Sequence, residues 1–120
     1  MNLLFKKTGG IRISGNYGFW DITWPFVTLE IFDDKITITI NIKKRFLYLY
    51  VIAKLFKLNK VITFKFTEID SIHRLLYLPI IADGIQINHH TDYPKCIIFW
   101  SFFSSTKIIN ILKEKGIKIE

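Results

Sequence analysis

Isoleucine alternates with a polar residue throughout the stretch Ile36-Thr37-Ile38-Thr39-Ile40-Asn41-Ile42. Successive side chains of a β-strand point to opposite faces, so all the isoleucines share one face and the polar residues share the other. Residues branched at Cβ also favour the pleated conformation. The stretch therefore predicts a half-buried strand of an antiparallel sheet.

A second apolar stretch, Pro25-Phe26-Val27-Thr28-Leu29-Glu30-Ile31-Phe32, precedes the first. The link between them, Asp33-Asp34-Lys35, is short, polar and suited to a tight turn. We therefore predict a β-hairpin over residues 26–42.

Weaker patterns extend the sheet on both sides of this hairpin. Alternation or a short buried-type apolar run predicts further strands at 11–14, 61–66, 69–76, 85–88 and 96–100. We interpret Ala82-Asp83-Gly84 as a turn and His89 to Pro94 as a loop. The predicted core comprises Phe26 or Val27, Leu29, Ile31, Ile36, Ile38, Ile40, Ile62, Phe64, Ile85, Ile98, Ile109 and Leu112.

The end of the chain changes from a strand period to a helical period. Ser104 or Ser105 can cap a helix that continues through Lys115. The residues Ile108, Ile109 and Leu112 form its apolar stripe. Gly116 is well placed to end the helix, because glycine readily adopts the left-handed conformation of a helix C-terminus. These features predict a C-terminal helix closing the β structure.

Residues 43–60 are apolar on nearly all sides, so their periodicity does not separate helix from strand. The length of the segment, the absence of Gly and Pro, and the spacing of Lys54 and Lys57 favour a helix. The Tyr, Phe and Val content favours a strand. We expect a helical insertion over 44–57, with a strand as the alternative.

Size and composition place the whole chain, residues 1–120, in a single domain. Half of the residues are hydrophobic, which excludes a disordered chain. The net charge is +7, and it is uneven: residues 1–60 hold ten Lys and Arg against four Asp and Glu, whereas residues 61–120 hold seven against six. The N-terminal half should therefore attract anionic partners.

The order of these elements, over about residues 22–118, resembles small bacterial proteins with a pleckstrin-homology-like (PH-like) fold. The resemblance rests on the hairpin from Pro25, on Phe66-Thr67-Glu68-Ile69-Asp70-Ser71-Ile72 and Gly84-Ile85-Gln86-Ile87-Asn88-His89, on Ile97-Ile98-Phe99-Trp100 and on the final helix ending at Gly116. It implies a mainly β fold, an antiparallel β-sandwich or partly open barrel of about seven strands capped by a C-terminal α-helix. That fold hosts lipid binders, peptide binders and oligomerising modules, so it does not select a function.

The sequence shows no G-x-S-x-G, P-loop or G-x-G-x-x-G motif, and its carboxylates are scattered. We therefore expect no enzyme activity and no cofactor. His89 and His90 with Asp92 and Cys96 form the one cluster worth testing for a metal. Adjacent histidines of a strand point to opposite faces, so a solvated histidine pair in a loop is the favoured interpretation, and no metal site is predicted.

A basic and aromatic segment is the main candidate for binding. Its cations and tyrosines suit the surface of an anionic membrane or an acidic protein, with Tyr at headgroup depth and Lys on phosphates. The candidate binding residues are Lys43, Lys44, Arg45, Tyr48, Tyr50, Lys54 and Lys57. The alternative is that the apolar residues 46–56 pack on the domain or form the interface of a homo-oligomer.

A second cluster, with Tyr17, Trp20 and Trp24 following Lys6, Lys7 and Arg12, could bind single-stranded nucleic acid. Core anchoring by the tryptophans is the favoured interpretation, because large aromatic side chains dominate small β cores. At the N-terminus, Met1 to Lys7 places charges after apolar residues, the reverse of a secretory signal. We expect a cytoplasmic protein, peripheral at the membrane if the basic segment binds lipid.

Overall fold

The computed structural model describes residues 3–15, 18–42, 48, 51, 60–78, 82–91, 96–102 and 105–120. It is mainly β, as predicted. The strands are β1 (Leu3–Gly15), β2 (Gly18–Phe32), β3 (Lys35–Ile40), β4 (Lys60–Lys65), β5 (Ile69–Leu78), β6 (Ala82–His89) and β7 (Cys96–Phe102). A short 3-10 helix (Phe66–Glu68) joins β4 to β5, and the helix α1 (Ser105–Glu114) follows β7.

The seven strands form one sheet in the order β4-β3-β2-β1-β7-β6-β5. Neighbouring strands are antiparallel throughout, and the sheet curls into a half-barrel. β1 is the central strand and pairs with both β2 and β7. β4 and β5 are the two edges.

The predicted hairpin over 26–42 is confirmed. Leu29 faces Ile38 and Ile31 faces Ile36 across β2 and β3, and all four side chains are fully buried. Ile38 in turn faces Ile62 of β4. The alternation of Ile with polar residues predicts this strand correctly because one face of the sheet is buried and the other is partly solvated.

The pairing register between β1 and β2 shifts between Gly9 and Ile11, and Gly10 lies opposite Trp100 of β7. A Cβ atom on Gly9 would overlap the carbonyl oxygen of Trp100, and one on Gly10 would overlap the Trp100 indole. β7 can therefore approach β1 this closely only because both residues lack a side chain.

One predicted turn is wrong, and one predicted loop has the wrong starting residue. Ala82, Asp83 and Gly84 begin β6, and Gly84 lies between Leu75 and Trp100 on the neighbouring strands. A glycine in a strand can permit close packing as well as a turn, which explains the error. The predicted loop at 89–94 starts one residue too early, because His89 is still in β6, and its residues 92–94 lie outside the described part of the chain.

The C-terminal helix is confirmed, and Gly116 ends it with φ of 86°. The Gly116 amide donates to the Lys113 carbonyl, and the Ile117 amide donates to the Leu112 carbonyl. These two bonds form a Schellman motif, which turns the chain back so that Ile117 is buried.

Two predicted core positions need correction. Ile109 is only partly buried, and Ile108 takes its place in the core beside Leu112. Ile98 is largely covered but faces away from the core, since its neighbours across the sheet are Arg12 and Gln86. Ile97 and Phe99 supply the core side chains of β7. β7 is apolar on both faces, so alternation could not select the inner one.

Candidate functional site

The basic segment, defined here as residues 43–59, connects β3 to β4. After β3, the Asn41 amide donates to the Phe26 carbonyl at 2.9 Å, and Ile42 is buried. The chain returns at Lys60, directly opposite Ile40. Ile40 and Lys60 therefore lie opposite each other at one end of the β3–β4 pair, about 5 Å apart as in any antiparallel pair.

Tyr48 is the one candidate binding residue that the structure describes. Its conformation is helical and its side chain is 85% exposed. Val51, three residues later, is also helical and 48% exposed. An aromatic and a branched apolar side chain of the basic segment are therefore both exposed to solvent.

The other candidate binding residues lie outside the described part of the chain: Lys43, Lys44, Arg45, Tyr50, Lys54 and Lys57. Apart from Tyr48 and Val51, the predicted helical insertion over 44–57 and the alternative interface over 46–56 also lie outside it. The structure therefore shows the residues that flank the basic segment, Ile42 and Lys60, and the exposure of two of its side chains.

Charge is distributed unequally along the β3–β4 pair. Residues 43–60 contain six Lys and Arg and no Asp or Glu. The opposite end carries the acidic residues Asp33, Asp34 and Glu68 beside Lys35 and Lys65. The Glu68 carboxylate accepts a hydrogen bond from the Lys65 amide at 2.9 Å, which holds Glu68 at this end. The backbone carbonyl of Asp34 accepts a hydrogen bond from the Phe66 amide at 3.1 Å. A strand of six residues spans about 20 Å, which is well over one Debye length at physiological salt. The distance from these acids to the start of the basic segment is therefore longer than a Debye length.

The two adjacent histidines point to opposite faces, as predicted. His89 is 6% exposed, and its ring lies 4.7 Å from the Phe64 ring centre. Its Nδ1 atom accepts the Thr91 amide at 3.2 Å. The predicted solvated pair is therefore wrong for His89, which is a core histidine because the strand extends one residue further than its sequence suggests.

His90 is exposed, and its Nδ1 lies 2.8 Å from Asp70 Oδ1. The two residues are twenty positions apart and meet because β5 and β6 are paired, so a scan for local motifs does not find them. Among the residues that the structure describes, no group of three or more His, Cys, Asp or Glu is arranged to hold a metal ion. Asp92 lies outside those residues, and Cys96 is a partly exposed free thiol.

The aromatic cluster near the N-terminus is only partly described. Lys6 faces Glu30 on the outer side of the sheet, whereas Lys7 faces Leu29 on the inner side. Arg12 lies opposite Asp21. Tyr17 and the side chains of Trp20 and Trp24 lie outside the description. The cations are therefore split between both faces, which does not favour one continuous nucleic-acid groove.

In the described part of the chain, no helix has the length and apolar character needed to cross a membrane. Models of known protein families gave no match to this sequence, and neither did a comparison with curated proteins.

Proposed function

We propose that this protein is a non-enzymatic binding module of PH-like fold that contacts an anionic membrane surface through the basic segment. The proposed site consists of Lys43, Lys44, Arg45, Tyr48, Tyr50, Lys54 and Lys57. An acidic face of a partner protein would offer the same charge. The observation that carries the proposal is the exposure of Tyr48 and Val51 within the basic segment, which has five cations and no acids.

Three arguments support this assignment. The seven-stranded antiparallel sheet with a C-terminal helix is compatible with the resemblance to PH-like proteins. The basic segment leaves the sheet and returns to it at adjacent residues, so it can extend from the domain without disturbing the core. An exposed Tyr beside lysines suits an interface where the ring lies at headgroup depth and the cations reach phosphates.

The proposal is tested by sedimentation with vesicles. The triple variant Lys43→Glu, Lys44→Glu and Arg45→Glu is compared with the unchanged protein on neutral and anionic vesicles. Each cation near an anionic bilayer contributes about 1 kcal/mol, so losing three weakens binding by roughly a hundredfold. Binding should also decrease as salt rises.

A matched control carries the same change of charge elsewhere. Lys107, Lys113 and Lys115 are exposed on or just after α1, and changing all three to Glu leaves the basic segment intact. We expect this control to lose much less anionic-vesicle binding than the triple variant. Equal losses would show that net charge, rather than the basic segment, determines binding.

Two further outcomes separate the alternatives. Tighter binding to single-stranded DNA than to vesicles in the same buffers, with a steep salt dependence, would favour a nucleic-acid binder. A concentration-dependent dimer that Leu49→Asp or Ile52→Asp dissociates, without vesicle binding, would make the segment a homo-oligomeric interface. Exposed Val51 beside Tyr48 is the observation that makes this second alternative specific.

A further inference from the structure

The backbone of β4 has a defined direction at the edge of the sheet. Its pairing with β3 continues one residue past the strand, where the Phe66 amide donates to the Asp34 carbonyl at 3.1 Å. Opposite residues of an antiparallel pair alternate between hydrogen-bonded and non-hydrogen-bonded pairs, so the next pair, Lys35 and Lys65, is non-bonded. The backbone groups of Lys65 and, by the same alternation, those of Val61 therefore point away from β3 toward the edge.

The side chain of Glu68 occupies this edge at Lys65. The chain leaves β4 through the 3-10 helix, and the Glu68 carboxylate reaches back to accept the Lys65 amide at 2.9 Å. Hydrogen bonds to a charged acceptor are stronger than those between neutral groups. Among the residues that the structure describes, no strand pairs with the outer side of β4. A strand approaching that side would have to displace the carboxylate in order to bond the Lys65 amide.

The sequence of β4 is suited to pair with a second copy of itself. In a two-fold antiparallel arrangement centred on Thr63, Val61 lies opposite Lys65 of the second copy, and Ile62 lies opposite its Phe64. Ile62 and Phe64 are both buried on the inner face, and a branched residue opposite an aromatic one is a favourable cross-strand pair. Edge strands of this kind associate unless the protein protects them, so a second copy is the strand that this edge must exclude.

We propose that Glu68 protects the β4 edge, and that its carboxylate blocks a latent interface through which two copies of the chain would otherwise pair. In such a dimer each Lys65 amide donates to the Val61 carbonyl of the opposite copy. The unchanged protein must first break the bond between Glu68 and Lys65 in both copies, whereas a protein without the carboxylate need not. The inference does not depend on membrane contact, and its test contains no lipid.

The first test compares two substitutions of the same residue. Glu68→Ala removes the acceptor, whereas Glu68→Gln is the matched control, because the glutamine carbonyl can still accept the Lys65 amide without the charge. One net hydrogen bond changes an equilibrium constant by about fivefold, and the two-fold dimer contains two such amides. We expect the Glu68→Ala protein to dimerise with a Kd at least tenfold lower than that of the unchanged protein. The Glu68→Gln protein should stay monomeric over the concentrations at which Glu68→Ala dimerises, as measured by sedimentation velocity.

A second substitution tests whether β4 is the interface. Val61→Pro removes an amide that points to the edge and leaves the bonds to β3 intact, so in the Glu68→Ala background it should abolish the dimer. Val61→Ala keeps the amide and should retain the dimer. Amide exchange gives an independent measurement. The Val61 amide should gain protection when the Glu68→Ala protein dimerises, and in dilute solution its Lys65 amide should exchange faster than in the unchanged protein.

A Glu68→Ala protein that remains monomeric overturns the proposal, whether or not its Lys65 amide has lost protection. Equal dimerisation of Glu68→Ala and Glu68→Gln would also overturn it, since the acceptor would then be irrelevant. Equally stable dimers of the Val61→Pro and Val61→Ala proteins would place the interface elsewhere on the molecule. Should Glu68→Ala unfold the protein, Glu68→Leu replaces it, because leucine keeps a side chain of similar size without an acceptor, and the same tenfold comparison applies.

Discussion

Apolar side chains are buried in strand β3, whereas two of them are exposed in the basic segment that follows it. In β3, Ile36, Ile38 and Ile40 are all buried, and the residues between them are half-buried. Beyond Ile42, Tyr48 is 85% exposed and Val51 is 48% exposed. Both regions are rich in apolar residues, yet those of the strand are buried and these two are exposed. Exposed apolar residues in a segment rich in cations are the basis of the proposed membrane contact.

The largest expected effect is in the strand. Ile38→Ala should lower the free energy of unfolding by about 2–5 kcal/mol, because the side chain is fully buried between β2 and β4 and leaves a cavity. The control Thr37→Ala, on the outer face, should change it by less than about 0.5 kcal/mol. Urea denaturation measures both, and equal effects would show that the buried and outer faces are energetically alike.

Gly116 gives the next largest effect and concerns the connection between α1 and residues 117–120, the tail. Gly116→Ala should cost about 1–2 kcal/mol, because the residue has φ of 86° and a Cβ atom is strained in the left-handed region. A Cβ atom there meets nothing within 4 Å, so the cost would come from the backbone alone. An unchanged free energy of unfolding would contradict the conclusion that the Schellman motif directs Ile117 inward.

A smaller effect is expected in the tail. Glu120→Pro removes the amide that donates to Ile72, so it should cost about 0.5–1.5 kcal/mol relative to Glu120→Ala. Hydrogen exchange at the Ile72 amide should accelerate by the factor that corresponds to this free energy, because that amide donates to the Lys118 carbonyl next to the lost hydrogen bond. If exchange accelerates at the β3 amides as well, the tail belongs to the cooperative core and is not a separate unit.

The smallest effect on stability is expected in the basic segment. Tyr48→Ala should change the unfolding energy by less than about 0.5 kcal/mol, since an exposed side chain makes few contacts. Vesicle binding should nevertheless weaken. A loss of stability comparable to that of Ile38→Ala would place Tyr48 in the core and remove the contrast between the two regions.

Local patterns of the sequence predict much of this fold. The alternation at 36–42 locates the central hairpin, and the position of Gly116 locates the end of α1. These features succeed because their determinants lie within a few residues. The inner face of β7 was missed because Ile97 and Ile98 are equally apolar.

Contacts between distant residues could not be predicted. Asp70 meets His90, and Ile72 meets Ile119, only after the strands are arranged. Gly84 could not be placed in a strand without knowing that Trp100 lies beside it. The basic segment was found from composition alone, because charge and aromatic content are visible without a fold. Its partner is not encoded in a motif, so its function is a proposal.

The most direct test of the central proposal places an environment-sensitive fluorophore on the basic segment. In a Cys96→Ser background, which removes the only cysteine, Tyr48→Cys and Lys113→Cys are labelled separately. With anionic vesicles, the probe at position 48 should shift its emission to shorter wavelength, and the probe at position 113 should not; neutral vesicles should affect neither. An unchanged probe at position 48, or equal shifts at both positions, would contradict membrane contact through the basic segment.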